Sequence, residues 1–190
     1  SSRIFVRLDE LPHTVKHAVL AAEQPDFYTR PRFNPPMELA RAVVRGEPPR
    51  GASFMSLALA RCLVRPHCCV GIDWPVISTV IMYRTERDFS KDAILETFLN
   101  EAYMGRSSFG VAAAANAYFG KSLADLSLDE IAFVAALPKA PSNIAKNPER
   151  GIERRNFVLD RMTAAGSITP AQAEAAKQAP LRLREPPAPI

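Results

Sequence analysis

The sequence has little cysteine, little lysine and no long apolar run. No stretch of about 18 consecutive apolar residues occurs, so nothing in it reads as a bilayer span. Cysteine is confined to Cys62, Cys68 and Cys69, too few for a small disulfide-built scaffold. No further Cys or His gives them zinc-ligand spacing, although His67 is adjacent. Buried thiols, a local disulfide from Cys62 to Cys68 or Cys69, and a metal site all stay open for them. Lysine is scarce, because 18 of the 24 basic residues are arginine. Charged residues make up 23% and apolar residues 47%. These globular proportions exclude a disordered tail and a collagen-like fibre.

What is present bounds the rest. A chain of 190 residues suits one domain, or one domain with a small lobe, and can bury roughly 70% of its unfolded surface. Proline is abundant, at 17 residues against a usual share of about 5%. The net charge is a mild +4, which hints at an anionic partner without choosing one. The start at Ser1-Ser2-Arg3 without Met fits a piece of a longer chain, so an upstream signal or anchor is an open expectation.

The pattern predicts helices nearly throughout. Residues 11–23 place Val15, Val19 and Ala22 on one face. Residues 24–35 read as loop, broken by Pro25, Pro31 and Pro35. Pro36 opens a helix that Gly46 ends, Pro48-Pro49-Arg50-Gly51 breaks the chain again, and an apolar helix follows over 53–64. A further apolar segment runs over 76–86. Ser90 caps a helix over 91–103, stopped by Gly105, with Ile94, Leu95, Phe98 and Leu99 as its stripe. Ala-rich 110–118 suits close packing. Ser127 and Glu130 form a capping box for a helix to Leu137, residues 149–165 form another closed by Gly166, and Thr169-Pro170 opens a last short one. Pro-rich 184–190 reads as a linker or tail. No strand or repeat is predicted. The expectation is a single all-α domain over 1–183 with a small Pro-rich lobe.

The segment Ser90-Lys91-Asp92-Ala93-Ile94-Leu95-Glu96-Thr97-Phe98-Leu99-Asn100 resembles the S-K-x-x-I-L-E-x-Y-L-N motif of peptidoglycan glycosyltransferases. These are the transglycosylase domains of bifunctional penicillin-binding proteins and their monofunctional relatives. The resemblance continues through Tyr103, Gly105, Gly110-Val111, Ala113-Ala114 and Tyr118-Phe119-Gly120-Lys121. It extends to Ala135, Leu137-Pro138, Ala140-Pro141-Ser142, Asn147-Pro148 and the R-x-x-x-V-L set Arg154, Val158 and Leu159. Upstream, Leu11-Pro12, Ala21-Ala22-Glu23 and Phe27-Tyr28 are similar to the first motif.

The resemblance implies a lysozyme-like, mostly helical fold with a large lobe and a jaw lobe, here about 24–72, lying against the membrane. It implies polymerisation of lipid II on the periplasmic or extracytoplasmic face of the inner membrane, behind an anchor segment. One Glu, here Glu23, would be general base on the incoming sugar hydroxyl, a poor nucleophile that needs one. A second Glu, basic side chains and often a divalent metal would handle the departing pyrophosphate. Ser53, Arg61, Arg30, Arg32 and Phe27 are the expected substrate contacts, and Met37, Leu39 and Val43-Val44 are candidates to face lipid.

The catalytic motifs are rewritten. In the first, E-D-x-x-F-x-x-H-x-G, the Asp, His and Gly become Gln24, Arg30 and Arg32. In the second, G-G-S-T-I-T-Q-Q, both glutamines become Leu57 and Ala58, while Gly51 and Ser53 stay and Arg61 replaces the usual Lys. The third, R-K-x-x-E, falls on Trp74-Pro75-Val76-Ile77-Ser78 when counted back from Glu86. Ser78 cannot replace a carboxylate, because its hydroxyl stays neutral at pH 7. Pro75 is expected to disfavour a helical Trp74. No metal or other cofactor is therefore expected, and Arg154 is expected on an ion pair or on helix C-terminal carbonyls. His13 and His17, at i,i+4, have no third ligand and read as surface histidines.

Three functions compete. The first is a diverged, catalytically impaired cell-envelope protein that binds a lipid-linked glycan or a wall-synthesis partner. The second is an active polymerase of lipid II or another undecaprenyl-pyrophosphate sugar, with new arginines as phosphate clamps. The third is lysozyme-like glycan cleavage by a protonated Glu23. Charge placement bears on all three. Residues 28–72 hold seven arginines against Glu38 and Glu47, a local net charge of +5, leaving the other 145 residues at −1. That basic region suits a membrane surface or a pyrophosphate, and nucleic acid is not an expected partner.

Overall fold

The computed structural model describes residues 2–30, 33, 36, 40, 43–46, 53–63, 73–139 and 141–185. Arg32, Met37, Leu39, Cys68, Cys69, residues 186–190 and the side chains of Arg61 and Cys62 lie outside this description. Nine helices are complete among the described residues: α1 His13–Glu23, α2 Phe54–Leu63, α3 Asp73–Asp88, α4 Lys91–Glu101, α5 Val111–Phe119, α6 Leu128–Ala136, α7 Pro141–Lys146, α8 Pro148–Ala164 and α9 Pro170–Gln178. Residues 36, 40 and 43–45 are also helical. The mostly helical fold is therefore as expected. The chain divides into two compact units, residues 1–25 with 102–190, and residues 26–101.

In the first unit, α6 packs on α8 and α1, and α1 on α8. The reason is patterning. Val15, Ala18, Val19 and Ala22 recur at i, i+3, i+4 and i+7 on α1 and are all buried. Ile131, Phe133 and Val134 of α6 are buried with them, each such side chain adding about 1.5–3 kcal/mol. On α8 the same spacing is filled by Arg155, Val158, Leu159 and Met162. Arg155 is 1% exposed. Its guanidinium donates to the carbonyls of Lys177 (2.6 Å) and Ala179 (2.7 Å), which close the end of α9. The arginine on helix C-terminal carbonyls is thus Arg155, while its neighbour Arg154 stands 5.0 Å over the ring of Phe157.

Three short strands correct the strand-free expectation. β1 Ser2–Arg3, β2 Tyr103–Gly105 and β3 Ser108–Phe109 form one sheet in the order β1-β3-β2. The helix before them ends at Glu101, not 103. Strands of two or three residues leave no alternation to read. The hairpin turn is also disguised. Arg106 (φ 47) and Ser107 (φ 55) both occupy the left-handed region that such a turn demands, usually met by Asn-Gly. Gly105, at φ 82, lies against Tyr118, whose hydroxyl donates to the Met104 carbonyl (2.9 Å).

In the second unit, α2, α3 and α4 pack pairwise. Phe27, Phe33, Met55, Leu59, Met82, Ile94, Leu95, Phe98 and Leu99 are buried. α3 starts at Asp73, so Trp74 is helical after all. Pro75 sits in the first turn, where its missing N–H is one of the donors a helix leaves unpaired anyway. Its carbonyl accepts from Thr79 Oγ1 (2.6 Å) and Ser78 Oγ (3.1 Å).

Candidate functional site

Glu23 is the last residue of α1, carried there by the buried face of that helix. It is 9% exposed. Both its carboxyl oxygens are buried, and neither finds a hydrogen-bond partner among the described residues. Burial raises its pKa from 4.5 to about 7, opposed by the positive charges of Lys139 and Arg154. A carboxyl that titrates near neutrality can both take and give a proton at working pH.

Cations gather at this end of α1. Lys139 Nζ donates to the Ala22 carbonyl (3.3 Å) and Arg161 Nε to the Ala21 carbonyl (3.0 Å). Both satisfy carbonyls that a helix C-terminus leaves open, and both complement its negative dipole end. Lys139 closes a short 3₁₀ turn, Leu137–Lys139, and Arg154 and Arg161 belong to α8. Sequence reading singled out Glu23 but passed over Lys139, although it lies inside the run between Leu137-Pro138 and Ala140-Pro141 that carries the resemblance. Arg161 had no motif to mark it.

The other expected contacts sit in the second unit. Phe27 is 3% exposed, its ring meeting Tyr28 edge-on at 5.3 Å, with Lys91 Nζ 5.8 Å from the ring centroid. Arg30 is half-buried, and its carbonyl accepts from Lys91 Nζ (2.5 Å), as do those of Phe27 (2.7 Å) and Tyr28 (2.9 Å). Lys91 thereby ties the 27–30 turn to α4. Ser53 is buried, and its backbone N–H donates to Glu86 Oε1 (3.2 Å). Glu86 Oε1 also accepts from Ser56 Oγ (3.1 Å), and Oε2 from the Phe33 N–H (2.8 Å). Glu86, used in the sequence only to count register, is thus the carboxylate that joins three segments of this unit. Of the residues named for substrate contact, the structure brings Phe27 and Arg30 together through Lys91, and Ser53 to Glu86.

The third-motif position does not suit a metal. Ser78 is fully buried and spends its hydroxyl proton on the Pro75 carbonyl. Among the described residues, no three His, Cys, Asp or Glu side chains converge to hold an ion. No helix among them is long and apolar enough to cross a membrane.

Glu23 is thus a buried carboxyl at a helix end, acted on by the charges of Lys139 and Arg154 in a mostly helical unit, and the comparisons with known proteins say to which family the chain belongs. A family model described as Transglycosylase matches residues 1–163, and the chain belongs to that family. Penicillin-binding protein 1A of Aquifex aeolicus is 37% identical over 188 residues, covering 96% of this chain and 26% of the relative. Penicillin-binding protein 1A of Vibrio cholerae is 39% identical over 191 residues, covering 94% and 22%. The crystal structure of penicillin-binding protein 1A from Haemophilus influenzae superposes with a TM-score of 0.61 at 29% identity, covering 97% of this chain and 19% of that one. The chain spans about a quarter or less of the length of these relatives.

Proposed function

We propose that this transglycosylase domain has lost glycan polymerisation and retains binding of a lipid-linked glycan at the extracytoplasmic face of the inner membrane. The observation that carries the reading is Ser78. It occupies the position of the motif's second carboxylate, with its hydroxyl proton committed to the Pro75 carbonyl in a buried turn. The two cations that precede that carboxylate in the motif are Trp74 and Pro75 here. Leaving-group stabilisation of this kind is worth about 10²–10³ in rate for each donor removed. A wall-synthesis protein is the alternative occupant.

A second reading is favoured by one observation, the elevated pKa of Glu23. A carboxyl protonated near pH 7 can act as general acid on a glycosidic oxygen, and alone suffices where the product is an internal anhydro sugar. One experiment separates the readings. The protein and its Glu23→Gln variant are incubated with lipid II and, separately, with purified peptidoglycan. Binding of lipid II without polymer is the expected result. Glu23-dependent polymer overturns the first reading, and Glu23-dependent soluble fragments establish the second.

A further inference from the structure

We infer that Phe157 is a positioning residue, whose ring holds Arg154 and Arg161 at the end of α1 and so sets the surroundings of Glu23. The inference rests on the second reading above, in which Glu23 is the acid–base group of this site. Residues 154, 157 and 161 are spaced i, i+3 and i+7 on α8, which puts their side chains on one face. The guanidinium carbon of Arg154 stands 5.0 Å from the Phe157 ring centroid and that of Arg161 at 5.6 Å. Both fall within cation–π range. Arg161 in turn donates to the Ala21 carbonyl (3.0 Å), two residues before Glu23. Arg154 supplies one of the two positive charges that act on the Glu23 carboxyl, Lys139 supplying the other.

Phe157 is not a core residue. It remains 39% exposed, while the core stripe of α8 runs through Arg155, Val158, Leu159 and Met162. Two neighbouring charges on α8 are engaged elsewhere. Arg155 donates to carbonyls at the end of α9, and Asp160 pairs with Lys177 (2.7 Å). What Phe157 contributes is an apolar face against which two long, flexible cations keep a fixed direction, Arg161 with the Ala21 carbonyl as its second anchor.

The test is a ¹³C NMR titration of the Glu23 carboxyl in the intact protein and in Phe157→Ala, Phe157→Tyr and Arg154→Gln variants. Amide exchange of Gln24, which donates to the Leu20 carbonyl (2.8 Å), is followed in parallel. Phe157→Ala is expected to raise the Glu23 midpoint by about half a pH unit, since Arg154 no longer holds its place, and to speed Gln24 exchange. Phe157→Tyr keeps the ring and is expected to match wild type in both. If Phe157→Ala does not fold, Phe157→Leu, apolar without an aromatic face, takes its place with the same expectations. An unchanged midpoint in the Phe157 variant, alongside a raised one in Arg154→Gln, overturns the inference. So does a midpoint that Arg154→Gln fails to move. Neither readout involves polymerisation, so failure here leaves the lipid II result standing, and the reverse holds.

Discussion

Glu23 couples the chemistry of the site to the stability of the fold. Its carboxyl is buried without a hydrogen bond, and its pKa is raised from 4.5 to about 7. Below about pH 4.5 the group is neutral in both folded and unfolded chains and carries no ionisation penalty. Between that pH and about 7 the unfolded chain ionises first, so stability falls as pH rises. The full loss is on the order of 3 kcal/mol. Glu23→Gln removes the titration and keeps the shape. In urea unfolding, the variant is expected to match wild type at pH 4 and to exceed it at pH 8. Parallel pH profiles for the two proteins would contradict this account. Glu23 is therefore a buried group rather than a solvated helix end, and the charges of Lys139 and Arg154 offset only part of the cost of ionising it there.

At the scale of elements, the β2–β3 hairpin gives the sharpest expectation. Gly105 adopts φ 82, and a Cβ there would stand 2.5 Å from the Tyr118 hydroxyl and 3.1 Å from the Pro141 carbonyl oxygen. Gly166 adopts a similar φ of 71 with nothing within 4 Å. Gly166→Ala therefore carries only the backbone penalty of about 1–2 kcal/mol. Gly105→Ala adds a clash with two fixed groups, for a total of at least about 3 kcal/mol and a melting-point drop beyond roughly 6 °C. Thermal unfolding of the two variants side by side checks the ordering.

The same elements show what the sequence makes legible. The helices over 91–101, 128–136, 148–164 and 170–178 announce themselves by caps, stop signals and apolar stripes, and those over 54–63 and 111–119 by apolar or alanine-rich composition. At Thr169 the box is reciprocal, with Gln172 N–H donating to Thr169 Oγ1 (3.2 Å) and Thr169 N–H to Gln172 Oε1 (2.8 Å). The hairpin stays hidden because its turn uses Arg106 and Ser107 and its strands are too short to alternate. Glu23 stands out by motif. Lys139 and Arg161 do not, because their roles come from helices that meet only in three dimensions. Glu86 likewise gathers donors from Phe33, Ser53 and Ser56, a convergence that no local spacing encodes.

On the scale of the whole molecule, charge is concentrated rather than spread, with +5 in residues 28–72 against +4 for the chain. Val43 and Val44, within that stretch, are 47% and 82% exposed. Vesicles rich in phosphatidylglycerol are expected to bind the protein, and raising salt from about 0.05 M to about 0.5 M to release it. Neutral phosphatidylcholine vesicles are expected to bind weakly at both. Equal binding to the two compositions in a sedimentation assay would remove the electrostatic contribution. The last consequence concerns where this module can be cut. The family match stops at residue 163, yet Arg155, 1% exposed, finds its acceptors at Lys177 and Ala179. The Arg184 N–H donates to the Tyr118 carbonyl (2.7 Å), and Arg106 to the Arg184 carbonyl (2.6 Å). A fragment trimmed at residue 163 would take away both carbonyls that hold the Arg155 guanidinium. The physical module therefore reaches twenty-odd residues past the family match, to Arg184.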